Sequence, residues 1–431
     1  MSKVIQLKNS RVLDPLQQRD EVSDLWFADG VVHETNPGGD VETIDCQGKW
    51  VCPGLIDTQV HLCEPGLTAK ENIESGTTAA AAGGFTSVLA LPGNAPPADD
   101  VNRIFWVQQR VQETAKVNVF LTGCASKGKE GKTLAPIGSM AQAGIVAVTD
   151  HQYCLQDNEL MRRALEYSSM FNLPVMDRCR DLSLSTQGVM NEGYWSALLG
   201  MRGWPAMAEE IIVERDALLA DNANARVHCM SISTAGSVQL IEQAKKKGIQ
   251  ITASVTPHHL LLTDEVVQSF DTKFKVDPPL RTPDDVAALR KGLREGIIDV
   301  LASDHHPHCS YEKEVEFDDA PFGVVGLETA VGIYLTHLVH SGVLSPLEWL
   351  ALVTSNPAKL FQMDRGSLQS GAPADVTVID PELVWKVTPE SFLSKSRNSP
   401  FIGEELKGRA VRTFIAGRER WNLEEGLKDD E

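Results

Sequence analysis

The sequence predicts an α/β protein: a (β/α)8 barrel of the TIM type, with a small composite β-domain formed by both chain termini. Two observations carry this. From about residue 53, apolar runs of strand length alternate with longer helical patterns, and the alternation repeats about eight times. Short β-like runs punctuated by Asp, Gly and Pro occupy both ends of the chain. A third observation narrows the choice. No Gly-x-Gly-x-x-Gly turn follows the first strand of the alternation, so nothing favours the rival doubly wound open sheet.

Taken in order, "KVIQLKN", "DLWFADGVVHE" and "TIDCQGKWV" supply the N-terminal β-runs. The barrel strands are expected in "PGLIDTQV", "TSVLALP", "VNVFLTG", "GIVAVTD", "LPVMDRC", "ARVHCMSIS", "IQITASVTP" and "IIDVLASD". Between them, "DNELMRRALEYSSMFN" and "STAGSVQLIEQAKKKG" space their apolar residues by three and four, as helices packed on one face do. After "TSNPAKLF" the short β-runs return as "ADVTVID", "VWKVT" and "VRTFIAG". The expected division is residues 1–52 with 362–431 as the β-domain, and 53–361 as the barrel.

At 431 residues the chain is long enough to bury such a barrel, and 42% hydrophobic with 23% charged residues is ordinary for a globular protein. A formal net charge of −19 argues against nucleic acid or an anionic membrane as partner, since both reward clustered Lys and Arg. The N-terminus has no apolar signal core, and no apolar run approaches membrane-spanning length. The eight cysteines, at 46, 52, 63, 124, 154, 179, 229 and 309, form no Cys-x-x-Cys pair. Reduced thiols and a cytoplasmic location are expected.

Active sites of such barrels lie where strands end. The expected strand ends carry Gln59 and His61, Asp150 and His151, Arg178 and Arg180, Ser231, and Asp304 followed by His305, His306 and His308. Taken singly, each histidine also has a structural reading as a hydrogen-bonded loop or core residue, His258 and His259 above all; the "DHHPHC" cluster is denser than ordinary loops. A hydrolytic two-metal site needs several neutral imidazoles and carboxylates converging on one mouth. These positions offer instead one His of a potential His-x-His pair, an Arg and a Ser. The Arg178 guanidinium stays charged. At about 4 Å and an effective dielectric of 20, each opposing unit charge costs roughly 4 kcal/mol, and a divalent ion doubles that.

These blocks resemble the dihydroorotase family of the amidohydrolase superfamily, over nearly the whole chain. "PGLIDTQVHLCEPG" is similar to the family's P-G-L-I-D-x-H-V-H-L-R-E-P-G, and "ESGTTAAAAGGFTSVLALPGNAPP" to its Gly-rich second block. "TPHHLLLTD", "KVDPPLRTPDD", "GIIDVLASDHHPH", "APFGVVGLET", "TSNPAKLF", "GSLQSGAPADVTVID" and "SKSRNSPFIG" follow its later blocks. The resemblance implies that the first metal histidine falls on Gln59 and that the second is kept as His61. The arginine and asparagine that hold the substrate carboxylate fall on Cys63 and Gly93. The metal carboxylate falls on Asp150 or His151, the latter fitting better. Two further metal histidines fall on Arg178 and Ser231, a family glutamate on Arg180, and an asparagine on Asp277. The catalytic aspartate is kept as Asp304 and a substrate histidine as His308.

The expectation drawn from this pattern is a framework retained around a dismantled site: no catalytic residue expected to function, no cofactor expected, no enzyme activity. The main functional expectation is a non-catalytic scaffold subunit for aspartate carbamoyltransferase in pyrimidine biosynthesis, a homodimer within a hetero-oligomer. The first alternative is a metal-dependent cyclic amidohydrolase, a dihydroorotase converting dihydroorotate and water to N-carbamoyl-aspartate, with a rebuilt single-metal site. It would hold zinc through His61, His151, Asp304 and the 305–308 histidines. The second is an interaction protein outside pyrimidine metabolism, similar to the non-enzymatic relatives of dihydropyrimidinase. If the site is dismantled, Arg178 is expected to pair with Asp304 or Asp150.

Overall fold

The structure is a computed structural model that describes residues 3–428. Eight parallel strands follow one another around the barrel in chain order: Leu55–Val60, Phe85–Ala90, Asn118–Gly123, Ala147–Val148, Val175–Asp177, Val227–Cys229, Ile251–Val255 and Val300–Leu301. His61 N donates to His305 O at 2.9 Å and His305 N to Gln59 O at 3.1 Å, so the backbone just past the last strand pairs with the first and closes the ring. This is the predicted (β/α)8 fold with its terminal β-domain.

In five of the eight strands adjacent residues enter different apolar clusters, as the two-residue repeat of a strand requires. Ile56, Leu89, Ala147, Met176 and Val300 belong to one cluster. Their neighbours Leu55, Val88, Val148, Val175 and Leu301 belong to the larger cluster that the surrounding helices share. The helices start where their sequences direct. Asp157 accepts from Leu160 N at 2.8 Å ahead of helix Asn158–Ser169, and Thr234 caps Ala235–Lys246. Ser345 and Glu348 form a capping box ahead of Pro346–Val353, with Pro346 at the first helical position.

Both termini build a single nine-stranded sheet. Strand Val376–Lys386 pairs antiparallel with Trp50–Pro53, with Val376 opposite Pro53 and Ile379 opposite Trp50. Strand Glu405–Ile415 continues the sheet on one side, and Lys3–Asp14 and Arg19–Ala28 on the other. Its core joins both ends of the chain, including Leu7, Leu25, Phe27, Val376 and Phe414. Phe27 and Phe414 meet edge to face at 5.2 Å between centroids. Among the described residues no helix is long and apolar enough to cross a membrane.

Candidate active site at the barrel mouth

The strand-end residues come together at one mouth, in two groups. In the first, Gln59 at the end of the first barrel strand donates from Nε2 to Ser254 Oγ at 2.5 Å and accepts at Oε1 from Ser231 Oγ at 2.6 Å. Ser231 Oγ in turn accepts from Arg178 Nη1 at 3.1 Å. Arg178 grips Asp304 with two bonds, Nη1 to Oδ1 at 3.3 Å and Nη2 to Oδ2 at 3.1 Å, and its Nε reaches Asp277 Oδ1 at 3.4 Å. Arg180 completes the group, donating to Asp277 Oδ2 at 3.1 Å while its guanidinium lies 3.9 Å above the ring of buried Trp204. Two guanidinium groups thus face two carboxylates. Burial alone would weaken the charge on Arg178, but Asp304 and Asp277 outweigh it and hold its pKa above the ordinary value. Burial pushes the Asp304 carboxyl up, and Arg178 pulls it partly back.

The sequence left Asp304 and Asp150 open as partners of Arg178, and the structure selects Asp304. Asp150 turns away: it accepts from Ser126 N at 2.9 Å and from the Ser126 hydroxyl, and burial raises its pKa.

The second group is aromatic. The His61 ring lies 4.2 Å from His306, stacked at 23°, and 4.9 Å from His151; His306 lies 4.6 Å from His308. Burial drives the pKa of His61, His151 and His306 well below the ordinary histidine value, so the rings are neutral. His61 Nε2 and both ring nitrogens of His151 have no hydrogen-bond partner. The arrangement depends on Gly93: a Cβ there would stand 2.5 Å from His61 Nδ1, so the ring occupies room that any larger residue would take. His308 is committed at both nitrogens, to Lys70 Nζ at 3.2 Å and to Phe322 O at 2.8 Å. Cys63 is buried behind His61, its thiol pushed up to about 12 by burial, with Glu71 adding to it. The backbone is strained where the site is built. Cys63, Ser231 and Asp304 have φ of +56°, +50° and +53°, a region that residues with a Cβ seldom occupy.

Sequence reasoning placed the strand-end residues but missed Ser254 and the stacking of His306 on His61. Ser254 had one available signal, a hydroxyl at the end of an otherwise apolar strand. His258 and His259 stay apart from both groups; His259 is held by Thr256 at 2.7 Å and by Pro278 O at 2.8 Å, in a structural role.

The comparisons with known proteins agree on a family. A profile described as "Dihydro-orotase-like" matches residues 48–237, and the "Amidohydrolase family" profile matches 206–420. The chain is 48% identical to a protein named dihydroorotase from Pelotomaculum thermopropionicum, over 96% of this chain and 97% of the relative. It is 45% identical to one from Endomicrobium trichonymphae, over 97% of this chain and all of the relative. Among solved structures, an L-hydantoinase (dihydropyrimidinase) from Arthrobacter aurescens superposes with a TM-score of 0.88 at 25% identity, covering 100% of this chain and 98% of its own. A dihydropyrimidinase from Brevibacillus agri superposes at 0.83 and 22% identity, over 97% and 95%, a likeness of fold.

These findings correct three expectations. The reading of the chain as a non-catalytic scaffold for aspartate carbamoyltransferase, the reading that it is not an enzyme, and the expectation of no cofactor are all overturned. Relatives of 43–48% identity over nearly the full chain are named for a catalytic activity, and the amidohydrolase match brings a metal-dependent family with it. The earlier reading went wrong by equating each substituted ligand with lost chemistry, although the likeness extends along nearly the whole chain. One disagreement stands. At the family's ligand positions the side chains do not fit the two-metal set: Gln59, Ser231 and Arg178 are bonded to one another, and Asp304 is held by Arg178. Among the described residues no three ligating side chains converge on one point. With its fold, its mouth residues and its full-length relatives taken together, the chain belongs to the dihydroorotase family.

Proposed function

We propose that the chain is a cyclic-amide hydrolase of the dihydroorotase kind, interconverting dihydroorotate and N-carbamoyl-aspartate. The observation that carries this reading is the 43–48% identity to proteins named dihydroorotase, spread over 95–97% of the chain. The site supports it at Asp304. A buried carboxylate with a raised pKa is a better base than an exposed one, and this one stands at the mouth on a strained backbone. In this reading Asp304 accepts the proton of the attacking water and delivers it to the ring nitrogen that leaves. Arg178 must loosen from Asp304 for that to happen. Its retained contact to Asp277 keeps the guanidinium in the mouth, where it can donate to the oxygen that gains charge as the ring amide is attacked.

The experiment is a direct assay. The purified protein is incubated with L-dihydroorotate in one arm and N-carbamoyl-L-aspartate in the other, each with and without added zinc, and the ring amide absorbance is followed. Interconversion that Asp304→Asn abolishes is the expected result. Rates equal to the protein-free blank in every arm would overturn the reading.

A further inference from the structure

A cavity of about 500 Å³ opens beside the mouth, and none of the mouth residues lines it. The segments that follow the first and second barrel strands stand against each other there. Ala95 N donates to Pro65 O at 3.0 Å, and a Cβ at Gly66 would stand 2.0 Å from Ala95 O. Helix Val101–Thr114 supplies the remaining wall. Asn94 follows Gly93, the residue that makes room for His61, so the cavity and the mouth share one loop. A volume of this order, apolar walls and a few polar groups are the marks of a small-molecule site.

The lining says what kind of molecule fits. Trp106, Pro65, Pro96 and Val107 give the apolar walls. Trp106 is 42% exposed, so part of its indole is open, and a flat ring offers most to a flat partner. The charged groups are spent on each other. Arg103 pairs with Asp99 and Asp100 and donates to Pro97 O at 3.0 Å. Asp100 also accepts from Asn102 N at 2.8 Å, and Asp99 from Gly128 N at 2.6 Å. One guanidinium against two carboxylates leaves the rim negative, which disfavours an anion. The neutral polar groups are free: among the described residues the carboxamides of Asn94 and Asn102 have no hydrogen-bond partner. Each carries both donors and an acceptor, the complement of the edge of a nucleobase.

We infer that this cavity binds an uncharged planar heterocycle of the nucleobase class, as the free base or a nucleoside. The ring stacks on Trp106, and Asn94 and Asn102 read its edge. The inference does not rest on the ring-opening reading, because binding alone is measured. Full-length protein is titrated calorimetrically with uracil, uridine, adenosine and uridine 5′-monophosphate. The expected result is saturable binding of at least one uncharged compound with a Kd below about 1 mM, and weaker binding of the monophosphate than of uridine. Trp106→Ala weakens binding at least about fivefold, and Asn102→Ala at least about twofold. Phe105→Ala, at the exposed neighbour that does not line the cavity, leaves it unchanged. Folding of each variant is checked by circular dichroism. If Trp106→Ala does not fold, Asn102→Ala, at an exposed position, decides. No saturable binding of any uncharged compound below about 1 mM, undiminished binding in the deciding variant, or tighter binding of the monophosphate than of uridine would each overturn the site. Self-association in sedimentation that Trp106→Ala abolishes would overturn it too, assigning the face to a second copy of the chain.

Discussion

On one side of the barrel mouth, Gln59, Ser231, Arg178 and Asp304 use every polar side-chain atom they have, each on another protein group. On the other side, His61 and His151 leave ring nitrogens unused. Both sides are buried, and both are made of strand-end residues. The difference separates two purposes that residue types alone do not. A saturated network is stable without a visitor, and it must open at the Arg178–Asp304 pair before Asp304 can act on one. An unsaturated cluster carries a standing desolvation cost that something from outside can relieve.

The comparison can be tested by substitution. The largest effect is expected from Arg178→Met, which leaves Asp304 and Asp277 facing each other without a buried counter-charge at Asp304. Urea denaturation should show a loss of roughly 3–5 kcal/mol; a loss below about 1 kcal/mol would mean that the Arg178 bridge contributes little to holding the fold. Ser231→Ala removes the hydroxyl between Gln59 and Arg178 and strands an acceptor and a donor, so a loss of about 1–3 kcal/mol is expected by the same measurement. The pH dependence of His308 comes next. Burial, with Lys313 and Lys70 adding to it, pushes its pKa down to about 4 from 6.5. A histidine depressed in the fold contributes stability that is complete above the unfolded value and is lost as pH falls from 6.5 toward 4. His308→Asn should therefore flatten the acid limb, narrowing the difference between pH 7 and pH 5 by about 1–2 kcal/mol; parallel limbs would refute the assignment. The smallest effect is expected on the unsaturated side. His151→Phe exchanges unpartnered nitrogens for carbon and should shift metal-free stability by less than about 1 kcal/mol in either direction. A loss matching that of Ser231→Ala would erase the contrast between the two sides.

The fold was legible because strand–helix alternation is a local pattern, written in runs of six to sixteen residues such as "TSVLALP" and "DNELMRRALEYSSMFN". The positions of the site were legible too, since they follow from where strands end. Their connections were not. Gln59 meets Ser254 and Ser231 across 195 and 172 residues of chain, and His306 stacks on His61 only because Gly93 leaves the room. No local pattern encodes such meetings. The functional reading failed for a related reason: it scored Gln59, Arg178 and Ser231 one at a time against a ligand list, whereas side chains that change together can form a new arrangement.

The terminal sheet has a consequence for how the protein is made. Its central pairing joins Trp50–Pro53 to Val376–Lys386, so the N-terminal strands emerge from the ribosome with one edge open while more than 300 further residues are added. At about 5–20 residues per second that wait lasts roughly 15–65 seconds. Throughout it Val51 and Cys52, fully buried in the finished protein, lie along an unpaired edge, with Val51 beside Val12. Nascent chains halted before residue 376 should therefore be held by chaperones or self-associate through this edge, even where the barrel strands already synthesised have begun to pair.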